Sequence, residues 1–341
     1  MLKNRTSLLF ISLTLLLLLS LLLNVSFGQV NIPFKEVCSS IFGSSSSKET
    51  WEYIIINYRL PKAFTAILVG VSLSISGLLM QTFFRNPLAG PFVLGLSSGS
   101  SLGVAFVVFG SGFLPLFLTD FLLSSHGIIL ASCAGSFLVL LLIFIVSKYL
   151  RDVMSILIVG LMFSSFTSAI VSILTYFSSA AQLQKFTFWS MGSLGNLTWG
   201  NLGFLTIVIG VGLIISIFSL KSLDALLLGE NYAKSMGLNF SRFKNTIIIS
   251  TSLLTGSITA FVGPIAFIGL AVPHLAKLLF QTSNHRVLFA GTLLIGAIIM
   301  LLCDSISQLP GMDFTLPINA ITSLVGAPIV IWLIIKKKNL V

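Results

Sequence analysis

Residues 59–103 read RLPKAFTAILVGVSLSISGLLMQTFFRNPLAGPFVLGLSSGSSLG. Two apolar runs, 60–83 and 92–110, flank the stretch FRNPLAGP, and each is about as long as a bilayer crossing requires. The first run carries Ala66, Gly70 and Ser74 at four-residue spacing, with Gly77 just beyond. The second carries Gly95, Gly99 and Gly103, again four apart, with Ser97, Ser98, Ser100 and Ser101 between them. In lipid, helices have no hydrophobic drive to associate and approach one another through such small residues. Both runs are therefore expected to be buried in a helix bundle. A second reading, serines facing a translocation path, stays open.

The rest of the chain follows the same pattern. Of 341 residues, 56% are hydrophobic and only 8% charged, whereas soluble domains carry about 25% charged residues. The chain reads as an all-α polytopic membrane protein of about ten helices. The spans fall at roughly 7–27, 60–83, 92–110, 126–148, 152–177, 199–219, 243–261, 265–281, 286–308 and 316–335. The eighth is expected to be interrupted by Pro273 and His274. Lys3 and Arg5 before Leu8–Leu23 would also suit a secretory leader, but Asn24–Gly28 offers no clean small-x-small cleavage site, so a retained span is preferred. Residues 1–341 form one transmembrane domain: helix 1, a first half at about 60–177, helix 6 at about 199–219, and a second half at about 243–335.

An even number of spans places both termini on one side. With the termini inside, 14 of the 19 Lys and Arg residues lie inside and 5 outside (Lys35, Lys48, Arg59, Lys62, Lys185). The positive-inside rule supports that arrangement. The net charge of +10 comes from cations scattered singly between spans, which excludes a nucleic-acid binder. The Ser44–Ser47 run reads as a flexible outer stretch, because no G-x-x-x-x-G-K-[ST] phosphate loop occurs in the chain. Trp189 and Trp199 read as interface markers. Cys133 and Cys303 read as inert core residues.

Gly90-Pro91-Phe92-Val93-Leu94-Gly95-Leu96 follows the second span, and Gly263-Pro264-Ile265-Ala266-Phe267-Ile268-Gly269-Leu270 follows the seventh. The two echoes fall on opposite sides, as in an inverted duplication. Intramembrane ionisable groups are expensive and usually functional, yet Asp304 is almost the only one. A proton- or sodium-driven carrier needs a relay of buried acids, so a conduit powered from elsewhere is favoured. The polar island LLLGENYAKSMGL (226–238) then stands out. As an inner-side helix over 229–238 it places Ala233 and Gly237 together at i, i+4 and Leu228, Tyr232 and Ser235 near one another, a shape suited to docking a soluble partner.

The 59–103 segment resembles the R-L-P-R … Q-x-x-x-R-N-P-L-A-x-P … L-G-x-S-x-G-A signature of ABC-importer permeases for iron chelates, haem and cobalamin. FWSMGSL (188–194), LGENYAKSMGL (228–238), GPIAFIGLAVPHLAKL (263–278), HRVL (285–288) and LPINAITSLVGAPIVIWLI (316–334) match further family segments in order. The resemblance implies ten helices in inverted halves, a homodimer (occasionally a heterodimer) around a central path, two cytoplasmic ATPase subunits, and a periplasmic or lipid-anchored binding protein. It implies residence in the cytoplasmic (inner) membrane with both termini cytoplasmic. No cofactor is expected on this chain, since ATP and Mg belong to the partner ATPase.

The resemblance also assigns residues. The island is similar to the family's coupling helix, with Gly229, Glu230, Tyr232, Ala233, Lys234 and Gly237 as contact candidates and the small side chains of Ala233 and Gly237 permitting close docking. In relatives the path is lined largely by the fifth span, which makes Met162, Ser165, Thr167 and Ser168 candidates. Arg59 and Lys62 match the basic pair that receives acidic side chains of the binding protein. Gln308 stands where some relatives carry another cation. The implied cargo is a ferric siderophore or haem, with cobalamin as the alternative and a secondary carrier as the alternative from another class.

Overall fold

A backbone crossing lipid must satisfy its own N–H and C=O groups, and a single segment can do so only as a helix. The computed structural model describes residues 2–41, 48–111, 115–150, 153–308 and 314–338, and these are helical throughout apart from short turns. The Ser44–Ser47 run and Arg151 lie outside the described residues. In chain order the helices are α1 (Leu2–Ser26), α2 (Phe34–Ile41), α3 (Glu49–Ile54), α4 (Leu60–Phe83), α5 (Leu96–Gly110), α6 (Leu116–Leu122), α7 (Ser125–Tyr149) and α8 (Val153–Tyr176). They continue as α9 (Ala180–Ser190), α10 (Trp199–Leu227), α11 (Glu230–Ser235), α12 (Phe240–Val262), α13 (Ile268–Phe280), α14 (His285–Ser307) and α15 (Ile318–Lys338). A π-helical turn at Ile55–Arg59 leads into α4, and a 3₁₀ turn at Pro91–Leu94 precedes α5.

Among the described residues, seven helices are long and apolar enough to cross a membrane, and three shorter apolar ones (α5, α13, α15) bring the total to ten. Two expected boundaries need correction. Helix α10 continues to Leu227, well past 219, because Lys221 and Asp224 sit in its last turns, where a charged head can leave the lipid while the stem stays on it. Helix α13 is not interrupted at Pro273 but runs through it. Pro273 has no N–H to offer the carbonyl four residues back, which is that of Gly269. Gly77 of α4 lies directly over this carbonyl, so closely that a Cβ there would collide with it.

The chain divides into two units. One gathers Met1–Leu78, Ser193–Ile207 and Ile265–Val341; the other gathers Leu79–Gly192 and Val208–Pro264. In the first, α14 packs on α1, α13 and α15. Gly70 of α4 meets the backbone of Gly296 in α14, where any side chain would clash. Trp199 Nε1 donates to the Ile56 carbonyl in the π turn (3.0 Å) and its ring lies 6.0 Å from that of Phe64, so this residue is a packing element as well as an interface marker. In the second unit, α5 packs on α7 through Gly99 against Gly135 and Gly103 against Ala131, again without room for a Cβ. Here α12 joins α7 and α5, and Trp189 packs with Phe186 onto Val104, Ala105, Val108 and Phe109. The small residues at four-residue spacing are therefore helix contacts. Cys303 is buried as expected, but Cys133 is exposed on α7 and is not a core residue.

The two halves exchange their opening helices. Each half opens with a long helix, and most of α4 groups with α13–α15 of the second half while α12 groups with α5, α7 and α8 of the first. Each Gly-Pro turn ends in a residue of positive φ immediately before a short helix: Gly95 (φ +74°) before α5 and Phe267 (φ +66°) before α13. A positive φ on Phe267 is a sparsely populated conformation costing about 1–3 kcal/mol, and its ring root is held against Gly326 of α15, where a Cβ would clash.

Candidate functional site

The polar island is a helix fastened at both ends by glycine. Gly229 takes φ +115°, ψ 148°, a conformation open essentially to glycine alone, and its carbonyl accepts from Ala233 N (2.9 Å). At the other end Gly237 (φ +87°) completes a left-handed cap: its N–H reaches Lys234 O (3.0 Å) and Leu238 N reaches Ala233 O (3.1 Å). Glu230 in the first turn and Lys234 in the last complement the helix dipole and pair with each other at 2.7 Å. Asn239 then caps α12 by accepting from Arg242 N (3.0 Å).

The face this helix presents differs from the expected one. Ala233 is fully buried against its own chain, so its small size serves internal packing. Gly237 is required by its backbone angle, and a side chain there would meet nothing within 4 Å. Leu227, Leu228, Tyr232 and Met236 are exposed instead, with Asn231, Lys234 and Ser235 beside them. This is an apolar patch of large side chains edged by polar ones, the composition of a docking surface.

The expected basic pair is not a surface pair. Arg59 is 7% exposed, and its guanidinium donates to the carbonyls of Val25 and Ser26 (both 2.9 Å) and Val30, at and just beyond the end of α1. The carbonyls of Val25 and Ser26, in the last turn of α1, have no partner within the helix, so the cation is used in capping it. Lys62 Nζ pairs with Asp304 Oδ1 at 3.1 Å. The same buried carboxylate accepts from Asn24 Nδ2 (2.9 Å) and Gln308 Nε2 (2.8 Å). Asp304 is thus the hub of a clasp joining α1, α4 and α14. Arg59 is buried with both Nη atoms engaged by backbone carbonyls, and its assignment as a surface docking residue is corrected on that ground.

Helix α8 divides the path candidates. Met162, Ser165 and Ser168 lie on its exposed side, followed by Ser172. Ser165 and Ser172 turn their hydroxyls back onto the carbonyls of Leu161 (3.2 Å) and Ser168 (2.9 Å). Thr167 is fully buried, donates to Ser164 O (2.9 Å), and is removed from the set. Gly160 fixes the orientation by packing against the backbone of Val93 in the 3₁₀ turn.

The model of the FecCD transport family matches residues 16–336. The chain belongs to that family. Among curated relatives, the hemin transport system permease protein HmuU of Yersinia pestis is 33% identical over 323 residues, spanning 94% of this chain and 95% of the relative. The vitamin B12 import system permease protein BtuC of Salmonella arizonae is 34% identical over 327 residues, spanning 96% and 93%. A solved structure described as a metal-chelate type ABC transporter in an inward-facing conformation superposes with TM-score 0.83 at 29% identity, covering 96% of this chain and 98% of that one.

For a FecCD member, the residues that sequence reasoning missed are the partners of Asp304. Asn24 is a lone amide at the end of a leucine-rich span, and Gln308 lies one helical turn beyond Asp304. Polar groups stranded at matching depth are each other's natural partners, and that was the available signal.

Proposed function

We propose that this FecCD permease is the membrane subunit of an ATP-driven importer carrying haem or a ferric chelate inward. It works as a homodimer with two cytoplasmic ATPase subunits and an outer binding protein. The observation that carries this reading is the exposed patch of Leu228, Tyr232 and Met236 on and immediately beside a short helix bracketed by Gly229 and Gly237. A rigid apolar protrusion is what a nucleotide-driven partner needs in order to push on a membrane bundle. The excess of cations on that side, 14 against 5, supports a cytoplasmic position for α11 and both termini. No cofactor is assigned to the permease; ATP and Mg act on the partner.

Met162, Ser165 and Ser168 line the path in this reading. The Ser165 hydroxyl is already bonded along the helix to Leu161 O, and with the soft Met162 side chain it gives a surface with little affinity for a bulky cargo. An outer binding protein would meet the exposed Tyr53 and Tyr58, with Arg59 beneath them. Similarity to a vitamin B12 permease supports cobalamin as the second reading.

The test is uptake into proteoliposomes holding permease, ATPase and binding protein, with labelled haem, a ferric siderophore and cobalamin offered separately. Vanadate-sensitive uptake of haem or the siderophore is expected. Vanadate-sensitive cobalamin uptake would establish the second reading, and uptake abolished by an uncoupler but not by vanadate would establish a carrier instead.

A further inference from the structure

Helix α4 ends where α11 is held. Asn86 N donates to Gln81 O (3.1 Å) and Arg85 N to Thr82 O (3.2 Å), a left-handed cap that puts Arg85 at φ +49°. Glycine is the usual occupant of that position because it has no Cβ to strain. A long cation placed there bears that strain, and its side chain makes a specific contact. Arg85 Nη2 donates to Leu226 O (3.1 Å), in the last turn of α10 and just before Gly229.

The far side of the island is fastened to the same place. Phe83, the last residue of α4, stacks on Phe240 (6.5 Å, 18°) and meets Phe243 edge-on (6.0 Å). Both belong to the first turn of α12, just after the island. Lys234 of α11 lies over the Phe240 ring at 5.1 Å. The chain therefore leaves α10 and enters α12 at two points that are both bound to Phe83–Arg85. Beyond Arg85 the chain runs directly into the Gly90–Gly95 turn that starts α5.

We infer that Arg85 is a positioning residue that joins the end of α10, where the chain enters α11, to the end of α4, so that displacement of α11 is delivered through that junction to the Gly-Pro turn and on to α5. The inference rests on the reading of α11 as the ATPase-docking helix. It assigns transmission to a residue that touches neither the partner face nor the path.

Arg85→Gly is the informative variant, since it installs the residue the backbone prefers while removing the tether. In the reconstituted complete transporter, the ATPase is expected to co-purify in wild-type yield and hydrolyse ATP at the wild-type rate. Cargo moved per ATP should fall about tenfold, the size of an ordinary coupling free energy. Arg85→Lys, with one donor able to reach Leu226 O, should restore part of it. Cargo per ATP within about twofold of wild type would overturn the inference. So would loss of the ATPase from the Arg85→Gly complex, since Arg85 would then be a static prop. Tyr232→Asp tests the underlying reading separately: if that variant keeps both ATPase and uptake, α11 is not the docking helix, whatever Arg85→Gly does.

Discussion

Two Lys–acid pairs among the described residues stand in contrast, and the shorter one does less for the fold. Lys234 and Glu230 on α11 meet at 2.7 Å, with side chains 50% and 30% exposed. Lys62 and Asp304 meet at 3.1 Å, with side chains 19% and 1% exposed. Distance would rank the α11 pair first. Surroundings reverse the order, because two charges about 4 Å apart attract by about 1 kcal/mol in water and about 4 kcal/mol at the effective dielectric of a protein's surface layer. The Asp304 carboxylate also has further donors, Asn24 and Gln308, which compensate its removal from water. The difference separates a charge used to close the bundle from a charge carried on a helix that something else must touch.

The largest effect should follow from breaking the buried pair. Lys62→Met leaves Asp304 facing only neutral donors, the amides of Asn24 and Gln308 and the Ser307 hydroxyl, and removing one partner of a buried pair typically costs about 3–5 kcal/mol. Thermal unfolding of the purified permease in detergent should show a clear drop in midpoint. The double variant Lys62→Met with Asp304→Leu, which removes the stranded charge as well, should recover much of it. A single variant as stable as wild type would dissolve the contrast between the two pairs.

Arg59 comes second. Arg59→Gln shortens the side chain and withdraws donors from the carbonyls of Val25, Ser26 and Val30, and a buried polar group left unpaired costs about 1–3 kcal/mol. Gly28→Val approaches the same state from the other side, since a Cβ at Gly28 would stand 2.7 Å from Arg59 Nη2. Both should lower the unfolding midpoint and expose the end of α1 to hydrogen exchange. Were Arg59→Gln to leave both unchanged, the capping role would fail and a surface role would return.

Sequence pattern was a good guide to the bundle and a poorer one to its polar contacts, for a physical reason. Span lengths and the spacing of Gly70, Gly77, Gly99 and Gly103 are local, and lipid forces each span to satisfy its own backbone. The destinations of the cations are not local. Lys185 reaches Leu123 O (2.7 Å), Lys244 reaches Ser147 O, and Arg85 reaches Leu226 O. Each bonds a carbonyl at or near the end of another helix, where the dipole and the unpaired carbonyls both favour a cation. Counting Lys and Arg by side cannot show this, and the same blindness made Arg59 look like a docking residue. On α11 the helix, the two glycines and the exposure of Tyr232 were legible. The inward turn of Ala233 was not, because it depends on what packs beneath.

The smallest effect belongs to the α11 pair. Glu230→Gln keeps the size of the side chain and its place in the first turn, and removes only the charge facing Lys234. An exposed i, i+4 pair of this kind contributes about 0.3–0.5 kcal/mol, so the unfolding midpoint should barely move. Ionic strength sharpens the contrast. At 1 M salt the screening length is about 3 Å, so any difference between Glu230→Gln and wild type should vanish, while the loss caused by Lys62→Met should persist because solvent ions do not reach Asp304. Parallel melts of the two variants at about 0.1 M and 1 M salt measure this directly. If the Lys62→Met loss also disappeared at high salt, the clasp would have to be open to solvent, and the distinction between a closing charge and a presented one would not hold.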